Sequence, residues 1–336
     1  MIDFSHSARQ VRLSAGETFA SEPRACYRDA PEEDLRSLTA QVEAGIPWRE
    51  AVRQRYSRSR PWLSRIVTDP SRDLFFRLHP PPPASRVLDI GAGWGQTALP
   101  LARANDVTAL EPTPERLSFL RAAAAQEGLA GRIHFVGADF FEVDFATRFD
   151  LVACIVVLEW TPKFRLGDPR DVQVDFLRRA GAILAPKGSL VVGIENRLGL
   201  KYQLGARDDH IGVPGIANLE YPEADRKWRA LTGEPLRSVT HSRAGLAAMF
   251  SEAGLKVTAC YAAFPDYKLP QAILRAGSEV DRFLSGGNFV PEHDGIDGDL
   301  LPFQEELKSG YRVLAARGAA TEAAPSFFMV AEAAGH

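Results

Sequence analysis

The residues most able to do chemistry follow an apolar, β-branched run. The stretch "SLVVGI" leads directly into Glu195 and Asn196, and "DDH" brings Asp209 and His210 shortly afterwards. Carboxylates, an amide and an imidazole are groups that move protons, hold a cation or bind a hydroxylated ligand. We interpret Glu195 and His210 as candidate general bases. The case for His210 is that a neighbouring carboxylate can orient an imidazole and raise its basicity.

A second acid follows another apolar run, because "LVACIVVLEW" contains Glu159 near its end. Neighbouring parallel strands deliver their carboxyl ends to one edge of a sheet, so Glu159, Glu195 and Asn196 are expected near one point. Three oxygen ligands would suit Mg²⁺, which makes a magnesium ion on these three residues a hypothesis beside direct proton transfer. The competing interpretation is that these groups cap the turns that follow the two strands.

The segment after Asn196, "RLGLKYQLGARDDH", is rich in bases, acids and an aromatic hydroxyl. Such side chains suit a polyhydroxylated or phosphorylated acceptor better than a flat aromatic one. The candidate substrate contacts are Asn196, Arg197, Tyr202 and Asp209. A later stretch, "FPDYKLP", is predicted to reach the rim of the same cleft.

A glycine-rich turn follows the strand-like run in "VLDIGAGWGQ". Glycine is needed where the backbone turns tightly and approaches a ligand closely, and here the glycines are Gly91, Gly93 and Gly95. A dinucleotide fingerprint would need another glycine where the chain has Gln96, which disfavours a nicotinamide-dependent oxidoreductase. Asp89 would repel a pyrophosphate but suits the cationic end of a ligand.

The next two predicted strands also end in candidate binding groups. "ALEP" contains Glu111, a carboxylate placed to accept the two hydroxyls of a ribose. "GADF" contains Asp139, which can accept an exocyclic amine, and Phe140, which offers a flat face to an adenine ring.

The elements that must position these residues alternate between strand and helix from residue 86 to residue 196, and the alternation resumes after 240. This pattern predicts an α/β fold with a parallel sheet and helices on both faces. Residues 1–80 are predicted to be a helical cap, and "HPPPP" marks a boundary before a domain at 84–336. Insertions are expected at about 197–240 and 265–325.

Five segments resemble, in order and spacing, the class I S-adenosylmethionine-dependent methyltransferases: "VLDIGAGWGQ", "ALEP", "GADF", "FDLVACIVVLEW" and "LAPKGSLVV". The resemblance implies a Rossmann-like seven-stranded sheet of order 3-2-1-4-5-7-6, with strand seven antiparallel, and S-adenosylmethionine as cofactor. It places Asp89 and the three glycines around the methionine part, Glu111 at the ribose, and Asp139 with Phe140 at the adenine. The acids after strands four and five also resemble the metal ligands of catechol-type methyltransferases, which use Asp where this chain has Glu.

The expected activity is methyl transfer from S-adenosylmethionine to a hydroxyl of a sugar or glycosylated small molecule. The pairing of "IENRLGLKYQLGARDDH" with "FPDYKLP" resembles methyltransferases encoded with bacterial glycan assembly, which favours a sugar-type acceptor. Two alternatives stay open. The nucleophile is an amine of an amino-sugar or other natural product, or the chain is a non-catalytic cofactor-binding module of a biosynthetic complex.

Composition limits the partners. The 336 residues carry a formal net charge of -3, which gives no argument for nucleic acid or an acidic membrane. The longest apolar run is too short to span a bilayer, and the three cysteines have neither metal-type nor disulfide-type spacing. We expect a cytoplasmic protein that binds a small-molecule or glycan acceptor, with no nucleic acid and no membrane span.

Overall fold

The chain forms two compact units in a computed structural model that describes residues 1–22, 25–293 and 300–334. The first unit comprises Met1–Ile155 and Arg179–Val191. The second comprises Val156–Arg178 and Val192–His336.

The first unit begins with strands, so the prediction of a helical segment across residues 1–80 is wrong for its beginning. These strands are β1 (Ile2–His6), β2 (Arg9–Leu13) and β3 (Thr18–Ala20). The side chains of Ile2 and Phe4 are buried and alternate with less buried neighbours, which is the period of a strand. The predicted helices follow as α1 (Glu32–Glu43), α2 (Trp48–Tyr56), α3 (Pro61–Thr68) and α4 (Leu74–Leu78).

The centre of the first unit is a parallel sheet. Its further strands are β4 (Arg86–Ile90), β5 (Asp106–Leu110), β6 (Ile133–Gly137), the short β7 (Val143–Phe145) and β8 (Phe149–Ile155). Helix α5 (Ala98–Ala102) follows β4, and helix α6 (Pro114–Gln126) follows β5. Parallel pairing gives the order β3-β6-β5-β4-β8, while β7 pairs with β1 in a separate small sheet.

Helix α7 (Pro169–Ala182) and strand β9 (Leu184–Glu195) each contribute residues to both units. The remaining strands, β10 (Leu255–Phe264), β11 (Ala272–Arg275) and β12 (Ser326–Ala333), belong to the second unit. Strand β10 pairs antiparallel with both β11 and β12. The hydrogen-bonded order β6-β5-β4-β8-β9-β12-β10 confirms the predicted order 3-2-1-4-5-7-6. Strands β3 and β11 add unpredicted edges to that sheet.

The described residues of both predicted insertions lie in the second unit. Its helices are α8 (Leu200–Gln203), α9 (Tyr221–Thr232), α10 (Arg243–Glu252), α11 (Ser278–Ser285) and α12 (Leu300–Ala316). Helices α8 and α9 lie in the first insertion, and β11, α11 and α12 lie in the second. Helix α9 ends at Gly233, whose φ of +78° is the left-handed conformation that commonly terminates helices.

The fourth predicted strand reads as a continuous apolar run because β8 is covered on both faces. Its residues from Leu151 to Ile155 are all buried. A strand of a parallel sheet with helices on both sides has no solvent face, so alternation of apolar and polar residues disappears from its sequence.

None of the helices in the described part of the chain has the length and apolar character of a membrane span.

Candidate functional site

The glycine turn after β4 has the backbone that the sequence predicts. Gly91, Gly93 and Gly95 adopt φ angles of +71°, +55° and +91°, a region that favours glycine. A Cβ atom at position 95 would also lie 2.3 Å from the Cδ1 atom of Leu120. Position 95 therefore requires glycine for conformation and for space.

Glu111 ties the end of β5 to this turn. Its carboxylate is 1% exposed; Oε2 accepts from the backbone N–H of Gly93 at 2.9 Å, and Oε1 accepts from that of Thr113 at 2.9 Å. A carboxylate has about four acceptor positions, so these bonds leave capacity for ribose hydroxyls. The ribose role of Glu111 stays a prediction.

Asp89 is the most unusual group of this site. Its side chain is 2% exposed, and burial raises the pKa of its carboxyl group to about 7. Its Oδ2 atom has no hydrogen-bond partner among the residues that the structure describes. Buried polar atoms are nearly always paired, so an orphaned carboxylate oxygen beside a glycine turn fits the cationic group of a ligand.

Asp139 and Phe140 lie just beyond the end of β6. The Oδ1 atom of Asp139 accepts from the backbone N–H of Phe141 at 2.9 Å, which caps a short 3-10 turn. Phe140 is buried. The seven residues predicted to bind the cofactor thus follow, or end, three adjacent parallel strands of one unit, although contacts to an adenine stay a prediction.

Sequence reasoning missed a segment that lies against this site. Asp29 accepts hydrogen bonds from the indole Nε1 of Trp94 at 3.1 Å and from Nε of Arg116 at 3.2 Å. The guanidinium of Arg116 lies 5.6 Å from the ring of Tyr27 and 3.7 Å from Glu111. No spacing or motif in the N-terminal sequence indicates that Tyr27 and Asp29 approach the glycine turn.

In the second unit, three predicted site residues come together. Glu159 and Glu195 are fully buried, and Nε2 of His210 lies 3.5 Å from Oε1 of Glu159 and 3.3 Å from Oε2 of Glu195. Each of the three offers a ligand atom within 4.8 Å of the others. We call these residues, with Tyr267 and Lys268, the buried charge cluster.

Asn196 lies outside this cluster, which corrects its place in the expected metal site. Its Nδ2 donates to the backbone carbonyls of Glu322 at 2.8 Å and Ala324 at 2.7 Å, and its Oδ1 accepts from the N–H of Leu198 at 3.0 Å. The amide is thus used to anchor backbone, and His210 stands where the sequence suggested Asn196. The substrate role of Asn196 stays a prediction that this geometry disfavours.

The later motif "FPDYKLP" supplies the rest of the cluster. The ammonium of Lys268 forms an ion pair with Oε1 of Glu195. The hydroxyl of Tyr267 lies 2.9 Å from Oε1 of Glu159 and 3.1 Å from Oε2 of Glu195. The two motifs noted in the sequence therefore meet, and both side chains lie inside the second unit rather than at a rim.

The charges of the cluster balance without a metal ion. Burial alone would raise the pKa of Glu195, but Lys268 and His210 outweigh burial and hold that pKa well below its usual range. Burial alone would lower the pKa of His210, but Glu195, Asp208 and Glu159 raise it well above its usual value. Mg²⁺ prefers oxygen ligands, but one of the three donors is an imidazole, and Oε1 of Glu195 is already paired with the ammonium of Lys268. The donor set therefore does not fit the magnesium hypothesis.

Two predicted substrate contacts form a second buried group. The ammonium of Lys201 lies 2.8 Å from Oδ2 of Asp209 and 3.8 Å from Oε2 of Glu292, and the hydroxyl of Tyr202 donates to the same Oδ2 atom. Burial and then Asp209 raise the pKa of Tyr202 well above its usual value, which keeps the phenol protonated. Asp209 and Tyr202 contact each other, and their roles toward a substrate stay predictions.

Arg197 is directed toward the segment before α9. Its guanidinium donates to the carbonyl of Asn218 at 2.9 Å and to Oε1 of Glu220 at 2.6 Å. This geometry favours a role in fixing the first insertion, and its predicted contact with a substrate is untested.

Gln173 on α7 is a structural residue that sequence reasoning missed. Its side chain is fully buried; Nε2 donates to the carbonyls of Leu158 at 3.0 Å and Val239 at 2.8 Å, and Oε1 lies 2.7 Å from Nε2 of His241. Burial lowers the pKa of His241 to about 4, so the ring is neutral and donates to Gln173. The segment after β8 is therefore fixed to the first insertion by one amide.

Residues 87–188 match a family model described as "Methyltransferase domain". Curated relatives include a ubiquinone biosynthesis O-methyltransferase from Xanthomonas axonopodis pv. citri, which is 28% identical over 41% of this chain and 53% of its own length. A tRNA 5-carboxymethoxyuridine methyltransferase from Escherichia coli is 31% identical over 35% of this chain and 43% of its own length. The chain thus spans about half the length of the curated relatives it matches.

Solved structures that are similar to this chain include the CcbJ methyltransferase from Streptomyces caelestis. It is 19% identical, with a TM-score of 0.47 over 80% of this chain and 90% of that one. The mitomycin 7-O-methyltransferase MmcR is 20% identical, with a TM-score of 0.39 over 69% of this chain and 64% of its own.

The matched residues run from the strand before the glycine turn into β9, which is the part of the sheet that carries every predicted cofactor residue. This part of the chain is therefore similar to a methyltransferase domain.

Proposed function

We propose that the protein transfers the methyl group of S-adenosylmethionine to a hydroxyl of a sugar or glycosylated small molecule. The observation that carries the proposal is the pairing of a glycine turn bearing an orphaned carboxylate, Asp89, with a buried cluster of proton-exchanging groups elsewhere in the same chain. The net charge of -3 favours a small acceptor over a polyanion.

The residues of the first unit fit the cofactor. Asp89 would hold the ammonium of the methionine part, Glu111 would bind the ribose hydroxyls, and Asp139 and Phe140 would contact the adenine. The glycines at 91, 93 and 95 would let the backbone of the turn approach the cofactor closely. When bound, S-adenosylmethionine supplies an electrophilic methyl group on a sulfonium, so the protein needs only to align a nucleophile and handle its proton.

The need for proton handling favours oxygen over nitrogen as the nucleophile. A neutral amine needs little beyond alignment and desolvation, whereas an aliphatic hydroxyl needs a general base. Glu159 follows β8, which pairs in parallel with β4, the strand that leads into the glycine turn. Its Oε2 atom has no hydrogen-bond partner among the described residues, which leaves this buried carboxylate oxygen able to accept a proton.

The other members of the cluster would position Glu159. His210 is a poor base in this setting because its pKa is raised and its ring is already protonated at neutral pH. Glu195 is a weak base because Lys268 and His210 stabilise its ionised form. The Tyr267 hydroxyl has one proton and can donate to only one of the two carboxylates at a time. We therefore favour Glu159 as the base.

The named relatives support the reaction class. The ubiquinone biosynthesis enzymes are O-methyltransferases by name, and the similarity covers 41% of this chain. The sugar acceptor rests on the polar insertion of the second unit. A cytoplasmic location stays a prediction.

Binding of S-adenosylmethionine is the first expected outcome. Calorimetry should show saturable binding of S-adenosylmethionine and none of NADH, because Gln96 replaces the glycine of a dinucleotide fingerprint. With a ¹³C-methyl-labelled cofactor and a pool of polar metabolites, the label should appear with the NMR shift of a methyl on oxygen. A label on nitrogen would select the amine alternative, and NADH binding without cofactor binding would refute the proposal.

Replacing Glu159 by Gln should lower turnover by about a hundredfold or more, because a general base contributes about 10² to 10⁴ to the rate. Cofactor affinity should stay unchanged. Glu223, an exposed acid on α9, provides the control variant Glu223→Gln. A near wild-type rate for Glu159→Gln would remove Glu159 from the mechanism.

Cofactor affinity should depend on pH through Asp89. Its pKa of about 7 means that the carboxyl group is largely neutral at pH 6 and ionised above pH 7. A cationic ligand binds the ionised form better, so the affinity should rise with pH, by up to about eightfold between about pH 6 and about pH 7.5. The Asp89→Asn variant should bind weakly with no such slope. The same slope in wild type and variant, measured by calorimetry, would contradict the assignment.

A further inference from the structure

The second unit contains a cavity that the proposed chemistry has not used. Its volume is about 500 Å³, within the range of small-molecule sites. Among its lining residues are Trp160, His210, Ile211, Trp228, Leu236 and Ser238. Two indoles and two aliphatic side chains give the lining a mainly apolar character that suits a ligand with a flat ring.

One wall of the cavity belongs to the buried charge cluster. The ring of His210 lines the cavity and meets Trp160 edge-on, with ring centroids 5.1 Å apart, while its Nε2 atom faces Glu159 and Glu195. A ligand seated here would therefore be one imidazole ring away from the two carboxylates.

An unused hydroxyl also lies in the lining. The Oγ atom of Ser238 is buried and has no hydrogen-bond partner among the described residues. A buried hydroxyl without a partner is costly in the free protein, and a polar substituent of a ligand would satisfy it.

The charged residues of the lining are mostly cationic. Lys163, Arg165 and Arg237 line the cavity beside a single acid, Glu234, in the lining that the structure describes. The ammonium of Lys163 lies 4.7 Å from the ring centroid of Trp160. The cavity thus combines an aromatic face with a cation close beside it.

Arg237 fixes the loop that carries Lys163. Arg237 donates Nε to the carbonyl of Pro162 at 3.0 Å and Nη1 to that of Gly167 at 2.8 Å, and Nη2 donates to that of Arg165. One side chain thus spans the loop at three carbonyls, which preorganises the cavity before any ligand arrives.

We infer that this cavity binds the part of the methyl acceptor that does not react, and that this part is a ring carrying a negatively charged group. The inference rests on the proposed methyl transfer and narrows its substrate class. The ring packs on the indoles, the anionic group meets Lys163, and a polar substituent meets Ser238. A phosphorylated or carboxylated pyranose and an aromatic carboxylate share this chemistry, and the test separates them.

The test measures ligand binding, by saturation-transfer NMR and tryptophan fluorescence, at protein saturated with S-adenosylhomocysteine. The probes are methyl glucopyranoside, glucose 6-phosphate and 4-hydroxybenzoate. We expect an anionic ring probe to bind and the neutral glucoside to bind at least about tenfold more weakly. Preference for glucose 6-phosphate over 4-hydroxybenzoate identifies a sugar-type acceptor, and the reverse identifies an aromatic one.

The variants Lys163→Glu and Trp228→Leu should each weaken binding of the anionic probe by about tenfold. Lys163→Glu reverses a charge, and Trp228→Leu removes an aromatic face. Lys256→Glu makes the same charge change at an exposed position of β10, outside the cavity, and should leave probe binding unchanged. The inference is overturned if no anionic ring probe binds, if the neutral glucoside binds equally well, or if Lys163→Glu has no effect. Cofactor binding without probe binding would refute this inference alone, whereas probe binding without cofactor binding would refute the proposed function.

Discussion

The buried ion pair between Glu195 and Lys268 is the interaction on which the second unit depends. It joins the end of β9 to the turn after β10. The second carboxylate oxygen of Glu195 lies 3.3 Å from Nε2 of His210. Leaving either charge buried without its partner would cost about 3 to 5 kcal/mol, so each residue requires the other. Tyr267 and His210 then take positions set by the two carboxylates. The candidate proton chemistry is a consequence of this neutralised charge cluster.

The positions of the candidate cofactor residues at the ends of adjacent strands could be predicted because their determinants are local. A strand, a turn that requires glycine at 95, and acids at the ends of successive strands are each written in a few adjacent residues, and parallel pairing brings them to one edge. The strand order followed from the resemblance for the same reason. The N-terminal strands were missed because each is short, and because β1 pairs not only with the adjacent β2 but also with β7, far along the chain.

The chemistry of the second unit was less predictable because it depends on contacts between distant segments. The sequence placed Glu159 and Glu195 correctly near one point, but local spacing does not reveal that Asn196 turns back to bind the carbonyls of 322 and 324. Nor does it reveal that Lys268 supplies the counter-charge, which makes a metal ion unnecessary. Sequence patterns identified the candidate residues, and contacts between distant segments determine which of them lie together.

A double-mutant cycle on Glu195→Gln and Lys268→Met tests the central claim most directly. The free energy of unfolding of wild type, both single variants and the double variant is measured by denaturant titration, with the exposed Arg170–Glu252 pair as control. The account predicts that each single variant is strongly destabilised, and that the double variant is more stable than the sum of the single costs implies, with a coupling of about 2 kcal/mol or more. The control pair should couple by less than about 1 kcal/mol. Additive costs at Glu195 and Lys268 would contradict the account, because they would show that the cluster does not depend on this pair.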